Sequence, residues 1–301
     1  MLDIKDPKVA IPVVLIAGLF WSFGPYVVRH IDGAQQVPWQ YLFTRGIVIF
    51  IILNLFLYLE EGNEFIKNYT KIGISGAIGG LGLGIAMITF IYSITNTSAA
   101  VTLLCLAAMP FITAMLGFLF LKETISVNVW IAIAIATIGI LIMSFDNTGK
   151  NTFTGLIFGI ASSVGFSVFS ISLRWRKETP KFTTVAIAGL FCCFFSAVVI
   201  ISNDLTFLSS GKNEALFATH GTLVCLGLIL YSIGSKNIPA AELTLLSLTE
   251  VIGGIFWVWI PILGINEIPS QGTVIGGFFI FVSIIYYSLI IQTNRRFIGL
   301  N

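Results

Sequence analysis

The chain has 301 residues, of which 56% are hydrophobic and only 10% charged, with a mean hydropathy of +0.97. A globular protein has about a quarter of its residues charged, so a soluble domain is excluded and the chain reads as an all-α integral membrane protein whose first partner is the lipid bilayer. Its net charge of +2 gives no footing for a nucleic-acid partner.

Apolar runs of about 18 to 25 residues are read as spans, because about 20 residues cross the hydrocarbon core. In chain order they cover 9–29, 39–59, 70–94, 97–121, 128–145, 153–173, 183–202, 216–234, 239–263 and 272–293, ten in all. The N-terminal stretch MLDIKDPKVAIP is acidic in part and runs into the first span, so no signal peptide is expected. Only a residue or two separates the third span from the fourth, which predicts an antiparallel hairpin. Within the third span Gly76, Gly80 and Gly84 recur every four residues, with Gly73, Gly79 and Gly82 beside them. Small residues at that spacing let helix backbones approach closely, so a helix–helix contact is expected there. Cys105, Cys192, Cys193 and Cys225 all fall inside apolar runs and read as small core residues. No disulfide framework or metal-ligand spacing is present.

The chain repeats itself. Residues 91–126 and 230–270 each open on Tyr-Ser-Ile (Tyr92, Tyr231), pass two alanines (Ala99-Ala100, Ala240-Ala241) and close on Glu-x-x-Ser (Glu123, Glu267). The offset of 141 residues between Ala99 and Ala240 also relates Gly18 to Gly159, Ser22 to Ser163 and Gly24 to Gly165. Two units follow, 1–150 and 151–301, with five spans each. With the N-terminus inside, twelve Lys and Arg lie on the cytoplasmic side and three (Arg29, Lys150, Lys212) outside, which puts both termini in the cytoplasm. Five is odd, so the second unit inserts upside down. The expected fold is ten transmembrane helices as two inverted five-helix repeats, the layout of secondary transporters that bind substrate near the midplane.

Four stretches carry a family pattern: GLFWSFGPYVV in the first span, PWQYLFTRG with Arg45 in the second, TSAAVTLLCLAAMPFITAMLGFLFLKE with Pro110 and Glu123 in the fourth, and Leu248-Thr249-Glu250-Val251 in the ninth. In these the chain resembles the drug/metabolite transporter superfamily, EamA type, over essentially its whole length. The pattern departs at Ser22, where glycine is frequent, at Gly46, where phenylalanine usually follows the arginine, and at Val251, where the usual Leu-Glu-Pro loses its proline. The resemblance implies a carrier in the inner membrane, working outward, and leaves the substrate open because such folds carry many metabolites.

Glu250 lies eleven residues into its span, about 16 Å deep at 1.5 Å per residue, where an acidic group costs about 2.5–3.5 kcal/mol on insertion scales. It reads as a coupling site for a proton, as the counter-charge of a substrate amine, or as a structural ion pair. Arg45, about 9 Å below the outer surface, either grips a substrate carboxylate or is a strut to a helix-end carbonyl or a carboxylate; the resemblance, which places Arg here for unrelated substrates, favours the strut. Trp21 and Tyr92 are candidate aromatic walls, suited to an ammonium through cation–π attraction. Ser247, three residues before Glu250, shares its face. Trp39, Trp130 and Trp175 read as interfacial belt, Glu123, Glu242 and Glu267 as interfacial, and His220 as a polar anchor.

There is no Ser/His/Asp spacing, no phosphate-cradling loop and no His/Cys cluster, so no catalysis, cofactor or metal is expected, and transport energy comes from a gradient. The expectation is a secondary carrier of an amino acid or related zwitterion, with uptake of a quaternary amine such as choline as the alternative, and a membrane scaffold or a channel as alternatives of another class.

Overall fold

A computed structural model describes residues 7–123, 125–145, 153–176, 178–236, 238–265, 268 and 271–298. Glu267, Ser270, Lys5, Lys150, Lys177 and the connection 146–152 lie outside them. Among the described residues 85% are helical and none lies in a strand. The α-helices are α1 (Pro7–Arg29), α2 (Pro38–Glu61), α3 (Ile66–Thr70), α4 (Gly73–Asn96), α5 (Ala99–Leu106), α6 (Met109–Leu116), α7 (Val127–Phe145), α8 (Phe153–Trp175), α9 (Lys181–Ser202), α10 (Gly211–Gly234), α11 (Ala240–Leu246), α12 (Thr249–Trp259) and α13 (Gln271–Ile298). Among the described residues eight helical stretches are long and apolar enough to cross a membrane, and Val127–Gly139 and Val274–Tyr287 are shorter apolar helices. This is an integral membrane protein.

Two expected spans are broken. The fourth splits into α5 and α6 at Ala107-Ala108, where Pro110, at the start of α6, has no N–H to continue the ladder. The ninth splits into α11 and α12 at Ser247-Leu248 without a proline. There the backbone tightens to three-residue bonds, Glu250 N to Ser247 O and Val251 N to Leu248 O, both 2.9 Å. The eighth helix begins at Gly211, five residues before the apolar run, because Ser210 caps it by accepting from Asn213 N and Glu214 sits in its first turn. Thr97-Ser98 does separate α4 from α5, yet α4 packs chiefly on α8 and α9 rather than on the neighbour it turns into.

The packing is reciprocal. Helix α1 lies on α10 and α12 while α8 lies on α4 and α6; α2 lies on α10 while α9 lies on α4. Two mixed bundles result, α1–α2–α10–α11/α12 and α8–α9–α4–α5/α6, meeting where α2 crosses α9, where α6 touches α11 and where α5 touches α12; α7 pairs with α13. Glycines make the crossings. An ideal Cβ on Gly46 would lie 2.7 Å from the carbonyl oxygen of Gly189, one on Gly165 2.6 Å from that of Gly82, and one on Gly139 2.5 Å from that of Gly276. The stripe in α4 is a contact surface: Gly76 and Gly80 face Thr184 and Ile187 of α9, and Gly79 and Gly82 face α8.

An arginine latch joins the two bundles at each end. Arg29, at the end of α1, donates from Nη1 to Ile94 O (3.0 Å) and from Nη2 to Thr97 O (3.1 Å), and Gln35 adds a bond to Thr95 O. Arg174, near the end of α8, donates to Ser235 O (3.3 Å) and Ile238 O (2.8 Å), is held by the Glu123 carboxylate at 2.7 Å, and is joined by Lys181 on Ser235 Oγ. Ile94 and Ser235, and again Thr97 and Ile238, stand 141 residues apart, the offset of the sequence repeat. Ser75, at the opposite end of α4 from Ile94, bonds Thr179 just past α8 at 2.5 Å, so the two latches sit at opposite ends of the bundle.

Filling a backbone-to-backbone contact with a methyl group costs about 1–3 kcal/mol. Gly165→Ala is therefore expected to lower the melting temperature of the purified protein in detergent, whereas Gly211→Ala, where a Cβ meets nothing within 4 Å, leaves it unchanged; equal melting of the two variants would contradict the crossing.

Candidate functional site

Between the two bundles, near mid-span, lies a cavity of about 70 Å³. Its two walls differ. Trp21, Arg45, His220, Val224, Leu228 and Glu250 come from α1, α2, α10 and α12, while Leu83, Ala86, Met87, Phe90, Leu106, Met109, Ser162 and Phe166 come from α4, α5, α6 and α8. Every ionisable group belongs to the first wall. Met109 and Glu250 hold positions related by the repeat offset of 141, so the same place in the fold is apolar on one wall and acidic on the other.

Arg45 is 3% exposed, and its Nε and Nη1 have no hydrogen-bond partner among the described residues. A guanidinium only donates, and leaving one buried without acceptors costs more than an ordinary lost hydrogen bond. The strut suggested by family resemblance lacks its acceptor at these two nitrogens. Glu250, 8% exposed, lies in the first turn of α12, where the helix dipole favours an anion. It is near enough for the charge of Arg45 to act on it, yet neither Nε nor Nη1 closes on the carboxylate. The break between α11 and α12 is what brings a helix start, and this carboxylate, to the cavity.

Trp21 is 5% exposed and is pinned as the floor: Nε1 donates to Val224 O at 3.2 Å, and the ring packs 5.4 Å from both Phe166 and Tyr231. Tyr231 is itself buried, its hydroxyl 2.7 Å from Ser170 Oγ. Tyr92 does not reach the cavity; it packs against Trp39 at 5.3 Å and Phe158 at 5.2 Å. Ser247 is fully buried and donates to Thr244 O at 2.8 Å, turned away from the cavity lining. Glu242 accepts from Tyr287, Trp130 and Trp175 are exposed, and Trp257 donates to Ser22 Oγ. The four cysteines are free, three of them buried, and no cluster of metal-binding side chains occurs among the described residues. Two wider clefts, of about 430 and 350 Å³, are lined by helix-end charges of both signs, such as Lys71 with Glu178 and Lys122 with Glu242, and belong to the surface.

Residues 8–145 match the EamA-like transporter family. The chain carries an EamA-like transporter domain. Two relatives described as uncharacterized transporters, from two strains of Helicobacter pylori, are each 24% identical over 258 residues, covering 82% of this chain and 84% of their own. A crystal structure with a TM-score of 0.75 and 17% identity covers 95% of this chain and 98% of its own, a likeness of fold that runs through both halves. These similarities support a membrane transporter of the drug/metabolite type and not an enzyme.

His220 belongs to the cavity, although sequence reads it as an anchor. The signal available was Tyr41, which shares the Arg45 face of α2 at one-turn spacing and carries the hydroxyl that meets His220. Met87, Phe90, Met109 and Phe166 give no signal, since any apolar span contains such residues.

An uncompensated buried charge destabilises the folded chain while serving function. Arg45→Met is accordingly expected to raise the melting temperature of the ligand-free carrier and to abolish stabilisation by substrate. A lower melting temperature would mark Arg45 as a strut.

Proposed function

We propose that this chain is a ten-helix, inverted-repeat secondary carrier of the inner membrane that moves a small zwitterion, an amino acid or close relative. The observation that carries the reading is a buried guanidinium with unanswered donors beside a buried carboxylate in one small cavity. A substrate with one acid and one amino group answers both charges: its carboxylate accepts from the unanswered N–H groups on one edge of the Arg45 guanidinium and its ammonium faces Glu250, over the indole of Trp21. Tyr92 and Ser247 act from behind the wall. On the scale where one water takes about 10–15 Å³, the cavity has room for about five or six non-hydrogen atoms, which favours amino acids with the smallest side chains. A quaternary amine such as choline ranks lower, since it leaves Arg45 without an acceptor; a scaffold or channel has no use for two buried opposite charges held apart in one cavity.

The inverted repeat is supported by the 141-residue offset, the odd span count per unit and the reciprocal packing of the helices. The excess of Lys and Arg on one side supports cytoplasmic termini, with the Arg29 latch outside and the Arg174 latch inside. In alternating access the two mixed bundles rock about the cavity, and one latch opens while the other holds. Without a nucleotide-binding loop the energy comes from a gradient. Glu250 takes up the coupled proton when substrate leaves, and export is the direction the family suggests.

Thermal-shift measurements on purified protein with glycine, alanine, larger amino acids, choline, nucleosides and sugars test this. Ligand at a hundred times its Kd adds about 2.7 kcal/mol of stability, so glycine or alanine is expected to raise the melting temperature, and Glu250→Gln to remove the rise. In vesicles Glu250→Gln is expected to lose uptake driven by a pH gradient. A response to choline or sugars that survives Glu250→Gln would sink the zwitterion reading.

A further inference from the structure

His220 lies on α10 nine residues past Gly211, about 13 Å along the helix, and is 1% exposed. Its Nδ1 meets the hydroxyl of Tyr41, which is itself fully buried and held by stacking on Phe217 at 4.7 Å. Arg45, one turn further along α2, is near enough for its positive charge to act on the phenol and draw the oxygen lone pairs toward it. The guanidinium has only donors, so the phenol proton goes to the imidazole, and Nδ1 is the acceptor. A neutral imidazole with Nδ1 accepting carries its proton on Nε2.

That second nitrogen meets no acceptor in the described hydrogen bonds. It faces Gly24 of α1, where an ideal Cβ would lie 3.0 Å from Nε2 and 3.8 Å from Phe90 Cζ, and the residue lines the same cavity as Arg45 and Glu250. A glycine on the facing helix leaves the ring edge clear. We infer that His220 is a substrate-contacting residue, its Nε2–H the second donor, beside Arg45, to the carboxylate of the transported molecule, with Tyr41 as the positioning residue that fixes the tautomer. The inference rests on the zwitterion reading and deepens it: the acid end of the substrate is bound by two residues from α2 and α10, and the amino end by Glu250 from α12.

The test compares binding of alanine and alaninamide, which differ in the carboxylate and share the ammonium, to wild type, His220→Gln, His220→Asn and Tyr41→Phe. Glutamine keeps an N–H donor near the position of Nε2, whereas asparagine reaches only as far as Nδ1. Wild type is expected to prefer alanine. His220→Asn is expected to lose about ten- to a hundredfold in alanine affinity, the worth of a hydrogen bond to a charged group, with alaninamide unchanged. His220→Gln stays within about threefold of wild type on the same scale. Tyr41→Phe narrows the alanine-to-alaninamide ratio by freeing the tautomer, and it decides the matter if His220→Asn does not fold. Wild-type preference for alanine, undiminished in His220→Asn or in Tyr41→Phe, overturns the inference alone; a wild type that prefers alaninamide overturns the zwitterion reading and the inference with it.

Discussion

In hydrocarbon every polar group must find its partner inside the protein, and the architecture follows from that requirement. Long helices answer their own backbones. Hydroxyls in the spans, such as Ser163, Ser167 and Ser170, donate to carbonyls one turn back. The carbonyls freed where α4 and α10 end are taken by Arg29 and Arg174. Of the six buried side-chain atoms without a partner among the described residues, the two that belong to a charged group are the nitrogens of Arg45, and they occur where the chain also keeps a carboxylate and an imidazole.

The scaffold treats its two halves alike, whereas the site does not. Glycine crossings and arginine latches come in related pairs, but the chemistry of the cavity is concentrated on α1, α2, α10 and α12. The facing bundle offers Leu83, Met87, Phe90, Met109 and Phe166. The repeat-related pair Met109 and Glu250 shows how little separates a carrier's working wall from its cover: one side chain at one equivalent position.

Much of this was legible in the residues. Ten apolar runs, the 141-residue offset and the two mid-span charges all depend on hydrophobicity and spacing, which sequence carries directly. Arg45 and Glu250 stood out because hydrocarbon makes a charge costly, and the fold brings both to one cavity. Other features depend on rotation about helix axes, which an apolar run does not encode. Tyr92 points toward Trp39 and Ser247 toward its own backbone for that reason. The early start of α10 was hidden because a serine cap is polar, and the break at Ser247 because no proline marks it. His220 looked like an anchor since its role is set by Tyr41, a residue 179 positions away.

Placing all the charge on one wall has a kinetic meaning. In the proposed cycle the apolar bundle must close over whatever the other bundle displays. With a zwitterion in place, the opposite charges are bridged and the cover meets a nearly neutral surface. With nothing in place, Glu250 having taken up its proton, the cover would still have to seal the bare guanidinium of Arg45 into a medium of low polarity, where an unpaired charge is costly. In that cycle reorientation would be faster loaded than empty, so the proposed carrier would resist leak and would exchange substrate across the membrane more readily than it moves it one way.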